Sequence, residues 1–65
     1  MACLTVEYIQ EGKKNWQHLG ECVDIDEAVV VAKQSWNDLS GMNLSAVRVV
    51  SEQDGSLLWM CGRHA

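Results

Sequence analysis

Sixty-five residues, 48% apolar and 22% charged with no proline, describe a small folded unit rather than a disordered segment. A chain of this length buries only about 60% of its unfolded surface, and a stability of roughly 3–5 kcal/mol is expected. The formal charge of −4 argues against a general duplex-binding surface, which is normally basic.

Residues 4–10 alternate, with Leu4, Val6 and Tyr8 on one side and Thr5, Glu7 and Ile9 on the other. The segment Glu11-Gly12-Lys13-Lys14 reads as a turn, and 15–22 as the return strand with Gly20 a candidate bulge. A turn centred on Gly12-Lys13 pairs Val6 with Leu19 and Ile9 with Trp16. Leu4, Val6, Tyr8 and Leu19 then point to the core, and Ile9, Trp16 and His18 point away from it.

A helix is predicted over 24–40. Asp24 is a good N-cap with Glu27 completing a capping box, and Asp24, Asp26 and Glu27 suit the positive end of the helix dipole. Ile25, Ala28, Val29, Ala32, Trp36 and Leu39 form one apolar stripe, and Gly41 ends the segment with Ser40 near the C-cap. Val30 lies opposite that stripe.

Residues 46–51 and 56–61 form a second hairpin. Asp54-Gly55 matches a two-residue type I′ turn, which pairs Val50 with Trp59, Val49 with Met60 and Arg48 with Cys61. That register puts Val47, Val49, Leu58 and Met60 towards the helix. It puts Val50, Trp59, Leu57 and Cys61 on the other face beside Arg48 and Glu52. The expected architecture is a single α+β domain over 1–65, ββαββ, with a four-stranded antiparallel sheet (hairpin 4–22, helix 24–40, hairpin 46–61) and the helix on one face. The order of the two hairpins stays open.

No segment carries catalytic or metal-binding spacing. His18 and His64 have no paired cysteines at zinc spacing, and Cys3, Cys22 and Cys61 lack a CxxC arrangement. The carboxylates at 24, 26 and 27 are explained by helix capping, and Gly12 and Gly55 are turn glycines outside any phosphate-binding motif. Lys13-Lys14 reads as a solvated turn. The segment after Met1 lacks a basic n-region and a long apolar h-region, and the longest apolar run, 28–32, is too short to span a bilayer. A cytoplasmic chain with reduced thiols follows as the expectation.

A sheet face that the helix leaves bare, carrying tryptophan and arginine, is a binding surface by composition. Ile9, Trp16, His18, Arg48, Val50 and Trp59 are its candidate residues. The sequence therefore suggests a non-enzymatic protein-interaction domain without a cofactor or metal. Its partner is a second copy packed sheet to sheet about a twofold axis, or a cognate protein, as for a small bacterial or phage regulator. Single-stranded nucleic acid held on the aromatic face is the alternative class, and a small apolar ligand between two sheets another.

Overall fold

In the computed structural model, which describes residues 3–38, 41 and 43–62, the chain runs β1 (Leu4–Gln10), β2 (Gln17–Cys22), α1 (Ile25–Asp38), β3 (Leu44–Ser51) and β4 (Leu57–Gly62). The strands make one antiparallel sheet in the order β2-β1-β3-β4. The helix packs across one face of it. This is the ββαββ arrangement expected from the sequence. The first strand of each hairpin occupies the centre, so β1 and β3 are neighbours and β2 and β4 are the two edges. Element ends differ from expectation by one or two residues: β2 starts at Gln17 rather than 15, β3 at Leu44 rather than 46, and β4 covers Leu57–Gly62 rather than 56–61.

The helix begins where its cap dictates. Asp24 Oδ1 accepts the Asp26 N–H at 3.2 Å, and the Asp24 carbonyl accepts the Ala28 N–H at 2.9 Å. Leu39 and Ser40, the expected end of the stripe and the C-cap region, lie outside the described residues. Ala28 and Ala32 are fully buried, and Val31 and Trp36 pack against the same cluster, whereas Ile25 is exposed. The buried stripe therefore differs from the predicted one: partly buried Val31 packs against the core, and Ile25, at the first turn, stays exposed. Two alanines at the contact let the helix backbone approach the strands closely. Leu4, Val6, Leu44, Val47 and Val49 supply the opposing layer. Before β3 the chain passes through Asn43 in the left-handed region (φ 57°), a conformation asparagine tolerates better than most residues.

The two hairpins deviate from regular pairing in different ways. In β1–β2, Tyr8 faces Gln17 and Glu7 faces His18, the register predicted from a turn centred on Gly12-Lys13. Past this point a bulge at Leu19 shifts the pairing to Val6–Gly20 and Leu4–Cys22, and Leu19 packs on the core. The tight turn itself is Gln10–Lys13, closed by Lys13 N–H to the Gln10 carbonyl at 3.0 Å, with Gly12 at φ 85°.

In β3–β4 the expected two-residue turn does not form. A type I′ turn needs positive φ at both central residues; Gly55 has φ 75°, but Asp54 does not share the left-handed conformation. The loop spans 52–55 instead. Ser51 N–H donates to the Ser56 carbonyl at 2.9 Å and Gly55 N–H to the Ser51 carbonyl at 2.8 Å. Side chains reinforce it: Asp54 Oδ1 accepts Ser56 N–H at 3.0 Å, and Ser51 Oγ accepts Gln53 N–H at 3.3 Å. A bulge after Leu57 then gives the pairs Val49–Trp59, Arg48–Met60 and Val47–Cys61. The register is one residue away from the expected one through most of the strand, so every side chain there changes face. Trp59 joins the core layer beside Val49, and Met60 moves to the other side.

Candidate functional site

The face opposite the helix is built from alternate residues of the two central strands. Thr5, Glu7 and Ile9 of β1 stand opposite Val50, Arg48 and Ala46 of β3. His18 of β2 extends the row from Glu7, and Met60 and Leu57 of β4 extend it from Arg48 and Val50. Its centre is a three-residue cluster. Arg48 Nε donates to Glu7 Oε1 at 2.9 Å, and Arg48 Nη2 reaches the same oxygen at 2.9 Å. The guanidinium carbon also lies 4.0 Å from the centroid of the Trp16 ring. Trp16 precedes β2 and folds back over the sheet, so one arginine is held from the side by a carboxylate and from above by an indole. The arginine and glutamate side chains are 29% and 21% exposed, which makes their attraction less screened than that of a surface pair.

This face is not uniformly open. Thr5 and Ala46, on either side of the central Glu7–Arg48 pair, are buried, so neighbouring larger side chains cover them. The accessible apolar surface lies toward β4, where Leu57 and Met60 are each 55% exposed.

The sequence-derived residues divide accordingly. Ile9, Trp16, His18, Arg48 and Val50 come to one face. Trp59 does not: it is half-buried against the helix-side core, because the longer loop and the bulge reverse its side of the strand. Glu7 was missed because its pairing with Arg48 depends on β1 lying beside β3, which hairpin patterns alone leave open. Met60 was missed for the same reason that Trp59 was misplaced. Arg48 pairs with Glu7 of the neighbouring central strand and not with Glu52, the acidic residue that the expected hairpin register sets on the same face.

No protein-family model, curated protein or solved structure matches this chain.

Among the described residues no three His, Cys, Asp or Glu side chains gather in a metal-binding group. His18 Nε2 lies 3.7 Å from Glu21 Oε2 on the exposed edge. Cys22 lines a recess with Cys3, Glu21, Val23 and Glu27 beside the helix start. Burial, and then the carboxylates of Glu27 and Asp24, push the Cys22 thiol above its usual pKa. That is the opposite of what an activated nucleophile requires. The three cysteines are free thiols. No helix among the described residues is long and apolar enough to cross a membrane.

Proposed function

We propose that this chain is a non-enzymatic, cytoplasmic protein-interaction domain that self-associates through the face of its sheet opposite the helix. The observation that carries this reading is the Trp16–Arg48–Glu7 cluster beside exposed Leu57 and Met60. Tryptophan and arginine are the usual anchors of protein interfaces, and a pre-ordered arginine loses little freedom when a partner covers it. Leu57 and Met60 are about half exposed, so covering each is worth roughly 1 kcal/mol by area. Nucleic acid is the weaker reading: the chain carries −4, and the face's arginine is already neutralised by Glu7.

Sedimentation velocity over a concentration series tests this. The wild-type chain is expected to form a dimer that dissociates on dilution. Trp16→Ala is expected to weaken that dimer by about tenfold, about 1.4 kcal/mol summed over the two copies of the anchor, while leaving the monomer folded. Concentration-independent monomer through the micromolar range rejects the reading. An oligonucleotide titration showing binding at low salt moves the assignment to the nucleic-acid class.

A further inference from the structure

The two edges of the sheet are chemically unlike. β2, with sequence QHLGEC, carries His18 and Glu21 and is broken by the bulge at Leu19. Charges and bulges are the usual means by which an edge strand is kept from pairing with another chain. β4, with sequence LLWMCG, has no charged residue and no proline. Its bulge is confined to the hairpin end, between Leu57 and Trp59, and the stretch from Trp59 to Gly62 pairs regularly with β3. Among the described residues β4 has no strand on its outer side, so its outward N–H and C=O groups form an unprotected row. Half of the exposed large apolar side chains among the described residues, Leu57, Leu58 and Met60, sit on this one strand.

We propose that the β4 edge pairs antiparallel with β4 of a second copy, making one continuous eight-stranded sheet about a twofold axis perpendicular to it. A second copy is the occupant because the strand is complementary to itself. Antiparallel partners directly opposite must share a face. Centring the axis on Met60 sets Met60 against Met60 on the open face and Trp59 against Cys61 on the helix face. Two apolar rows then continue across the junction. No like charges meet, although each copy carries −4 overall. Both helices lie on the same side, and the exposed apolar strip of Leu57 and Met60 becomes the middle of a doubled surface. This contact goes beyond packing through the open face and uses the backbone edge of β4; Met60 belongs to both surfaces, so the β4 amides and Trp16→Ala, rather than Met60→Lys, tell the two apart.

Hydrogen exchange at several protein concentrations, read together with sedimentation, tests the pairing. Amides in Leu57–Gly62 are expected to exchange at least about tenfold more slowly at high than at low concentration, with Gln17–Cys22 unchanged. Met60→Lys is expected to remove that protection and weaken association about tenfold or more, since two ammonium groups then face each other at the axis. Leu58→Lys, at an exposed position off the axis, serves if Met60→Lys fails to fold. Trp16→Ala is expected to leave the β4 protection in place. An assembly that forms with β4 amides still exchanging at the monomer rate overturns edge pairing and leaves open-face packing standing. Protection that persists in Trp16→Ala with unchanged association upholds edge pairing and removes open-face packing. A monomer at every concentration, or β4 protection that appears only when another protein is added, overturns the second copy as occupant.

Discussion

The two hairpins start from similar material, an alternating strand, a glycine turn and a tryptophan at or just before the return strand, yet they send their tryptophans to opposite faces. Trp16 lies over Arg48 on the open side, and Trp59 packs beside Val49 under the helix. The difference comes from loop geometry rather than from the hydrophobicity of the strands. In the first hairpin the pairs Tyr8–Gln17 and Glu7–His18 keep the register of a two-residue turn at Gly12-Lys13 although the connection is longer, so the face assignments survive. In the second, Gly55 ends a four-residue loop instead of completing a two-residue one, and the bulge after Leu57 recovers only part of the displacement. One residue of net displacement then exchanges Trp59 for Met60.

The sharpest way to break this contrast is to truncate both indoles. Trp59→Ala is expected to cost about 2–4 kcal/mol of folding stability, somewhat below a fully buried tryptophan because the ring is half-exposed. In a domain holding roughly 3–5 kcal/mol, that leaves a large unfolded population. Trp16→Ala is expected to cost about 1 kcal/mol or less, mainly the stacking on Arg48. Urea unfolding of the two variants decides it; equal losses mean that the faces are not distinct.

Gly62→Ala probes whether the displaced register runs to the end of β4. Gly62 lies opposite Ala46, and a Cβ there sits 2.8 Å from both the Ala46 Cβ and the Ser45 carbonyl oxygen. Neither neighbour is a flexible side chain, so a loss of about 1–3 kcal/mol is expected by overpacking. In the register of a two-residue turn Gly62 faces Val47 instead. A neutral Gly62→Ala in thermal unfolding argues for the pairing with Val47.

Smaller still is the coupling that holds the open face in order. A double-mutant cycle of Glu7→Gln and Arg48→Met is expected to show about 0.5–1.5 kcal/mol of interaction, above the usual surface pair because both groups are mostly covered. The same cycle with Trp16→Ala in place of Glu7→Gln is expected to give about 0.5–1 kcal/mol. A coupling of zero in both leaves Arg48 a solvated side chain and removes the pre-ordering on which the interaction reading depends.

Most of the architecture was legible in the sequence because period and capping are local signals. The alternation of Leu4, Val6 and Tyr8, the Asp24 cap and the helical stripe around Ala28 and Ala32 each need only a few neighbouring residues to be read. The candidate site was legible only in part, and the failures are non-local. Glu7 meets Arg48 across 41 residues of chain, through a hairpin order that no local pattern encodes. Trp59 was placed by treating Asp54-Gly55 as the centre of its loop, when the hydrogen-bonding capacity of Ser51, Asp54 and Ser56 together favours a longer one. The signal was present, in polar residues on both sides of the Asp-Gly pair, but several side chains have to be considered at once to see it.

That loop makes the last and smallest prediction. Asp54 is fully exposed, yet the Ser56 N–H bond, reinforced by side-chain bonds to Ser56 and Ser51, holds its carboxyl below the usual aspartate pKa. A lowered pKa in the folded state means that the ionised form is favoured by folding. The contribution is therefore fully present above the ordinary aspartate pKa and is lost as pH falls through the lowered value. The stability difference between the wild-type chain and Asp54→Ala is accordingly expected to be constant near neutral pH and to shrink as pH falls below about 4. A difference that stays flat across that range shows that the carboxylate does not anchor the loop. The four-residue geometry, and with it the placement of Trp59 under the helix, then has to rest on Gly55 and the strand packing alone.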